Sequence, residues 1–232
     1  MSTIKNPGRF AGLLYVVTSI FGFFAMGYVP SKLIVHGDAA ATANNISASE
    51  TLFRLGVASQ LIGMAGFIFV ALALYELFKE VDRRQAELMV ILIVVSVPIA
   101  FLNEVNSMAA LLLVRGADFL SVFEKAQRDA LAMLFLNLHG RGLMFSELFW
   151  GLWLFPLGRL VYRSRFLPRF LGVWLVLAGF AWVILSFTGI LVPQYADKLN
   201  TYFQPAILGE IAFMLWLVIK GAKPPQMDVA AG

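Results

Sequence analysis

Long apolar runs, each close to the length needed to cross a bilayer, dominate this 232-residue chain and leave little freedom in its fold. A helix rises about 1.5 Å per residue, so about 20 mostly apolar residues cross roughly 30 Å of hydrocarbon. Residues 10–29, 51–78, 87–114, 130–161, 170–191 and 202–219 meet that requirement. Backbone polar groups in hydrocarbon must be satisfied within their own segment, which selects helices. The expectation is an all-α polytopic membrane protein, a six-transmembrane-helix bundle forming one domain over residues 1–221, with a disordered cytoplasmic tail at 222–232. Composition closes off the alternatives. Only 14% of residues are charged against 60% hydrophobic, and mean hydropathy is +0.80; a soluble domain carries about 25% charged residues. A soluble enzyme, a disordered chain and a nucleic-acid module are thereby excluded, and no nucleic-acid partner is expected. The absence of cysteine removes disulfides, thiolate metal sites and thiol nucleophiles.

The first stretch follows Lys5 and Arg9 and superficially resembles a signal peptide. It is long enough to span and no small-x-small cleavage site follows, so it reads as an uncleaved first helix. Ser47 and Glu50 have capping-box spacing at the start of the second stretch. Lys and Arg near span ends favour the cytoplasm. Eleven fall on the side that holds Lys5, Lys79, Arg83, Arg163 and Lys220, and six on the side of Lys32, Arg54, Arg115 and Lys198. Both termini are therefore expected in the cytoplasm, with the chain in a bacterial cytoplasmic (inner) membrane. Gly37-Asp38-Ala39, Gly116-Ala117-Asp118 and Tyr195-Ala196-Asp197 recur in the connections assigned outside. They mark either repeated helical hairpins or merely ordinary loop composition.

Ionisable groups at membrane depth cost about 2.5–3.5 kcal/mol on insertion scales, so they face the interior and need partners. Glu104 lies about 25 Å along the third stretch from Glu87. Asn103 and Asn106 share a face beside it. Glu210 in the sixth stretch and Arg54 and Gln60 in the second fall at the same level. The fourth supplies Asn137, His139, Arg141, Ser146 and Glu147, with Gly140 and Gly142 leaving room for a neighbour. His139 is the one imidazole at membrane depth, whereas His36 reads as a solvated loop residue. Two readings of this set stay open: interhelical hydrogen bonds and ion pairs of Glu104 and Glu210 with Arg54 and Arg141, or a ligand- or proton-handling site. The aromatics read as packing and interface anchors. Pro98 and Pro156 are expected to kink their helices.

No phosphate loop, dinucleotide fingerprint, H-E-x-x-H or EF-hand is present, so neither cofactor nor metal is expected. Glu147 lies about 80° around the helix from His139, so one ion could not take both. Ser146 is two turns from His139, which disfavours a serine triad.

Several segments carry a family resemblance: Ala11-Gly12-Leu13-Leu14-Tyr15, Ser31-Lys32-Leu33-Ile34-Val35, Glu50-Thr51-Leu52-Phe53-Arg54-Leu55-Gly56, Leu134-Phe135-Leu136-Asn137-Leu138-His139, Arg163-Ser164-Arg165-Phe166-Leu167-Pro168-Arg169, and Leu208-Gly209-Glu210. The chain resembles, over nearly its whole length, the bacterial membrane family known as domain of unknown function 4386. The resemblance implies a small multi-pass membrane protein and carries no established activity. Its recurrent positions include Arg54, Asn137, His139 and Glu210; His36 stands where the family pattern has proline.

The leading expectation is a polar intramembrane pocket, open to the outer leaflet, that binds or moves a small amphiphilic or lipid-like ligand. Its ligand-binding candidates are Arg54, Asn103, Asn106, Asn137, His139, Arg141 and Glu210, with membrane lipids around it. The alternatives are an intramembrane enzyme acting on a lipid or isoprenoid, with Glu104, His139 and Glu210 as candidate catalytic groups, and a structural or assembly subunit.

Overall fold

The computed structural model describes residues 6–223. Apart from Ala222 and Lys223, the expected tail lies outside these residues, as does Lys5. Every regular element among them is helical. Helix α1 (Pro7–Phe23) starts on a proline, whose missing N–H is no loss at a first position. It continues through a π-helical turn (Phe24–Tyr28) into α2 (Val29–Leu33). The turn has a local cause. Pro30 has no N–H to return to the ladder, and Val29 instead donates to Phe24 O, five residues back.

The connection after α2 was expected to be loop but forms a helix, α3 (Ala39–Ala48), because Asp38 caps it by accepting from Ala41 N at 2.8 Å. Ser47 lies inside α3, so the expected capping box at Ser47 and Glu50 does not form. Glu50 opens α4 (Glu50–Phe78) and pairs with Arg54 instead. Helix α5 (Arg83–Arg115) runs unbroken through Pro98. The helix expected over 130–161 is two: α6 (Lys125–Leu152) and α7 (Leu154–Arg163), separated at Trp153. Pro156 accounts for the break, since it cannot donate to the carbonyl of Leu152 and its ring crowds that turn. Helices α8 (Arg169–Leu191) and α9 (Ala196–Ile219) complete the chain.

Five of these segments are long and apolar enough to cross a membrane: Pro7–Leu33, Glu50–Phe78, Arg83–Arg115, Arg169–Leu191 and Pro193–Ile219. Six were expected. The missing one is α6, whose polar residues dilute its apolar character.

The chain divides into two compact units. One takes the chain up to residue 16, residues 67–95 and the chain from 147 onward; the other takes 17–66 and 96–146. Glycines set the close approaches in the first. A Cβ on Gly158 would stand 2.7 Å from Gly172 O, and one on Gly151 would stand 2.8 Å from Gly179 O. Numbers rise on α6 and α7 as they fall on α8, so the contact is antiparallel and backbone to backbone. Trp153, Leu154, Leu157, Leu171 and Leu175 bury around it. The described ends also meet in this unit: Gly8 N donates to Ala222 O at 3.0 Å, and Ala222 N donates to Asn6 Oδ1 at 3.2 Å. Arg163 reaches Asp82 at 2.8 Å, tying the turn after α7 to the turn before α5. In the second unit, α1–α2 lies antiparallel to α4, with Gly66 against Thr18, Gly63 against Phe21 and Gly56 against Val29.

Candidate functional site

Two buried polar groupings occur, one in each unit. In the second unit, Asn103, Glu104 and Ser107 fall within five residues of α5, on one face by their i, i+1 and i+4 spacing. All three are buried. His139 of α6 meets them. Its Nδ1 lies 3.2 Å from Ser107 Oγ, 3.3 Å from Asn103 Nδ2, 3.4 Å from Asn103 O and 3.7 Å from Glu104 Oε1. Asn103 Nδ2 also donates to His139 O at 2.8 Å, and Asn106 Nδ2 donates to Asn103 Oδ1 at 3.2 Å. Those two bonds fix which way the Asn103 amide points.

Gly142 makes this clamp possible. A Cβ there would overlap Asn103 Oδ1, so the amide occupies the volume that any other residue's side chain would fill. Three acceptors and one donor surround His139 Nδ1, which places the ring proton on that nitrogen. Nε2 has no protein partner among the described residues. Ser107 and Glu104 therefore approach the same ring nitrogen. A serine triad needs its nucleophile and its acid on opposite ring nitrogens, so this arrangement is not one.

A cavity of about 60 Å³ adjoins the cluster. Its polar lining is Gln60, Glu104, Ser107 and His139; Met26, Val29, Phe53 and Leu136 are among its apolar walls. The π-helical turn contributes Ala25 and Met26. Gln60 is 4% exposed, and its Nε2 has no hydrogen-bond partner among the described residues. Met26, by contrast, is 42% exposed. The lining thus passes from a buried polar end to an exposed apolar one.

The other grouping belongs to the first unit. Tyr15 Oη donates to Glu210 Oε1 across α1 and α9. Phe67 and Trp153 pack on the Tyr15 ring, with centroids at 5.2 and 6.2 Å. Trp153 is fully buried. Among the described residues neither Glu104 nor Glu210 has an arginine ion-pair partner, so the pairing of these carboxyl groups with Arg54 and Arg141 is not what forms.

The expected site residues thus separate. Asn103, Asn106 and His139 meet around Glu104. Glu210 joins Tyr15 in the other unit. Arg54 bonds Glu50 at 2.7 Å, and Arg115 approaches the same carboxylate at 3.8 Å. Asn137 and Arg141 lie on an exposed face of α6, and His36 is exposed in its turn. Ser107 and Tyr15 did not enter the expected set. Ser107 was findable, since it shares a helix face with Asn103 and Glu104. Tyr15 was passed over as one aromatic among many. Among the described residues no group of three or more His, Asp or Glu side chains could hold a metal ion.

An uncharacterised protein of Archaeoglobus fulgidus is 39% identical over 79 residues, which cover 33% of this chain and 44% of that protein. The match thus spans less than half the length of that relative. No solved structure matches the chain. The family model described as Domain of unknown function (DUF4386) matches residues 10–221, nearly the whole of the helical region, and the chain belongs to that family.

Proposed function

We propose that this membrane protein crosses the bilayer six times, as three antiparallel hairpins, and holds the polar end of a small amphiphilic ligand between its helices. Parity supports the sixth crossing. Asp82 and Arg163 are in contact, so an even number of crossings separates them. If α5 is one, α6 with α7 is the other. The meeting of Gly8 with Ala222 favours an even total in the same way. The basic residues around Arg83, Arg84, Arg163 and Lys220 favour a cytoplasmic side for that end. Glu104, about 30 Å along α5 from Arg83, then lies toward the outer leaflet.

One observation carries the binding reading: the buried, unpartnered amide of Gln60 lines the same cavity as the Glu104 carboxylate. An orphaned buried donor costs about 1–3 kcal/mol, which a bound acceptor would recover. Glu104 accepts, His139 presents Nε2, Asn103 and Asn106 hold the histidine in place, and apolar walls lead out past Met26 to receive a tail. The volume suits a head group, since whole drug-sized ligands need about 300–1,000 Å³. An enzyme of lipid or isoprenoid substrates is the second reading, favoured by one feature: a carboxylate and a hydroxyl orient Nδ1 and leave Nε2 as a base.

The test is co-purification. Wild type, Gln60→Leu and Glu104→Gln are purified in mild detergent and their bound amphiphiles identified by mass spectrometry. A species retained by wild type and lost from both variants, but kept by Glu210→Gln, is expected. Identical contents in all four would overturn the binding reading.

A further inference from the structure

Resting on that reading, we infer that the group held by Gln60, Glu104 and His139 is a neutral hydroxyl carried on an apolar chain. The cavity's donor and acceptor inventory selects it. Gln60 Nε2 offers N–H and needs an acceptor. Glu104, 5% exposed, has carboxyl oxygens that can accept a further hydrogen bond from a donor. An ammonium would satisfy Glu104 but has no lone pair for Gln60. A carboxylate or phosphate would satisfy Gln60 but would bring an anion beside the Glu104 carboxyl group in a medium of low dielectric. No lysine or arginine lines the cavity to offset that charge.

A hydroxyl does both at once. It accepts from Gln60 and donates to Glu104, and its second lone pair remains available to Ser107. Size agrees: about 60 Å³ admits a few water molecules, hence a hydroxymethyl group. The chain that carries it leaves along Val29 and Met26, the latter exposed. Water has the same donor and acceptor set, so the apolar chain is the part of the inference that separates a lipid-borne alcohol from bulk solvent or a free polyol.

The experiment uses probes of matched chain length on the full chain in lipid nanodiscs: 1-decanol, decylamine and decanoate, with glycerol as the soluble hydroxyl source. Binding is read as ligand adducts in native mass spectrometry and as the shift in thermal unfolding. Gln60→Leu is the comparison protein, because removing an unpaired buried donor favours folding. Decanol is expected to bind wild type and to lose about tenfold in affinity in Gln60→Leu, the equivalent of one hydrogen bond. Preference for decylamine or decanoate, abolished by Gln60→Leu, would overturn the hydroxyl and leave the pocket reading standing. Glycerol competing as well as decanol would overturn the apolar chain. If wild type and Gln60→Leu bind every probe alike, the pocket reading itself falls.

Discussion

At the scale of single residues, His139 is held by what its neighbours lack as much as by what they supply. Asn103 can clamp the imidazole only because Gly142 has no Cβ to fill the space of its amide. Gly142→Ala should therefore displace Asn103, freeing His139 and leaving its carbonyl without the 2.8 Å bond. Overpacking of this kind costs about 1–3 kcal/mol, read as a lowered thermal midpoint in detergent. Asn103→Ala should rescue Gly142→Ala in part, since the clash is then gone; a strictly additive double variant would contradict the clamp. The Tyr15–Glu210 bond makes a second case. Tyr15→Phe removes a donor from the part-buried Glu210 carboxyl group and should destabilise by about 1–3 kcal/mol, whereas Glu210→Gln keeps an acceptor for the phenol and should cost less. Equal losses in the two variants would mean that the bond is not what Tyr15 contributes.

At the scale of elements, helices were legible where their apolar runs were unmixed. The stretches at 51–78 and 170–191 differ from α4 and α8 by a residue or so at their starts. What resisted reading has physical causes. The polar segment after α2 is a helix because of one side-chain cap at Asp38, a contact only three residues in range that apolar periodicity does not register. The π-helical turn follows from Pro30, whose effect is felt in the residues before it rather than at its own position. The site was legible by depth and helix face within α5, which gave Asn103 and Glu104. Which helix approached that face was not legible, because level alone also admitted Glu210 and Arg54. The glycine contact of α7 with α8 offers a direct test. Gly158→Leu would drive a side chain into Gly172 O and part the two backbones. It should destabilise more than Gly140→Leu, whose Cβ meets nothing within 4 Å. Comparable unfolding midpoints for the two variants would show that the close approach is not needed.

At the scale of the whole molecule, α6, the helix that carries His139, is long enough to span yet is not among the evident spans of the described residues. Asn137, His139, Arg141, Ser146 and Glu147 lower the hydropathy of α6, and the sixth crossing proposed for it has its support in the contact of Asp82 with Arg163. A helix that offers a polar side chain to a neighbour, as α6 offers His139 to α5, is less apolar than a plain span, since each buried polar group needs a partner. Topology mapping tests this without background, because the chain has no cysteine. Single substitutions Glu80→Cys and Arg165→Cys should react with a membrane-impermeant maleimide only in inverted vesicles. Asp38→Cys and Ser121→Cys should react in intact cells. The decisive pair is Ser121→Cys and Arg165→Cys, which bracket α6 and α7: labelling from the same side would mean that these helices do not cross, and would overturn the proposed sixth crossing together with the membrane setting proposed for the cavity beside His139.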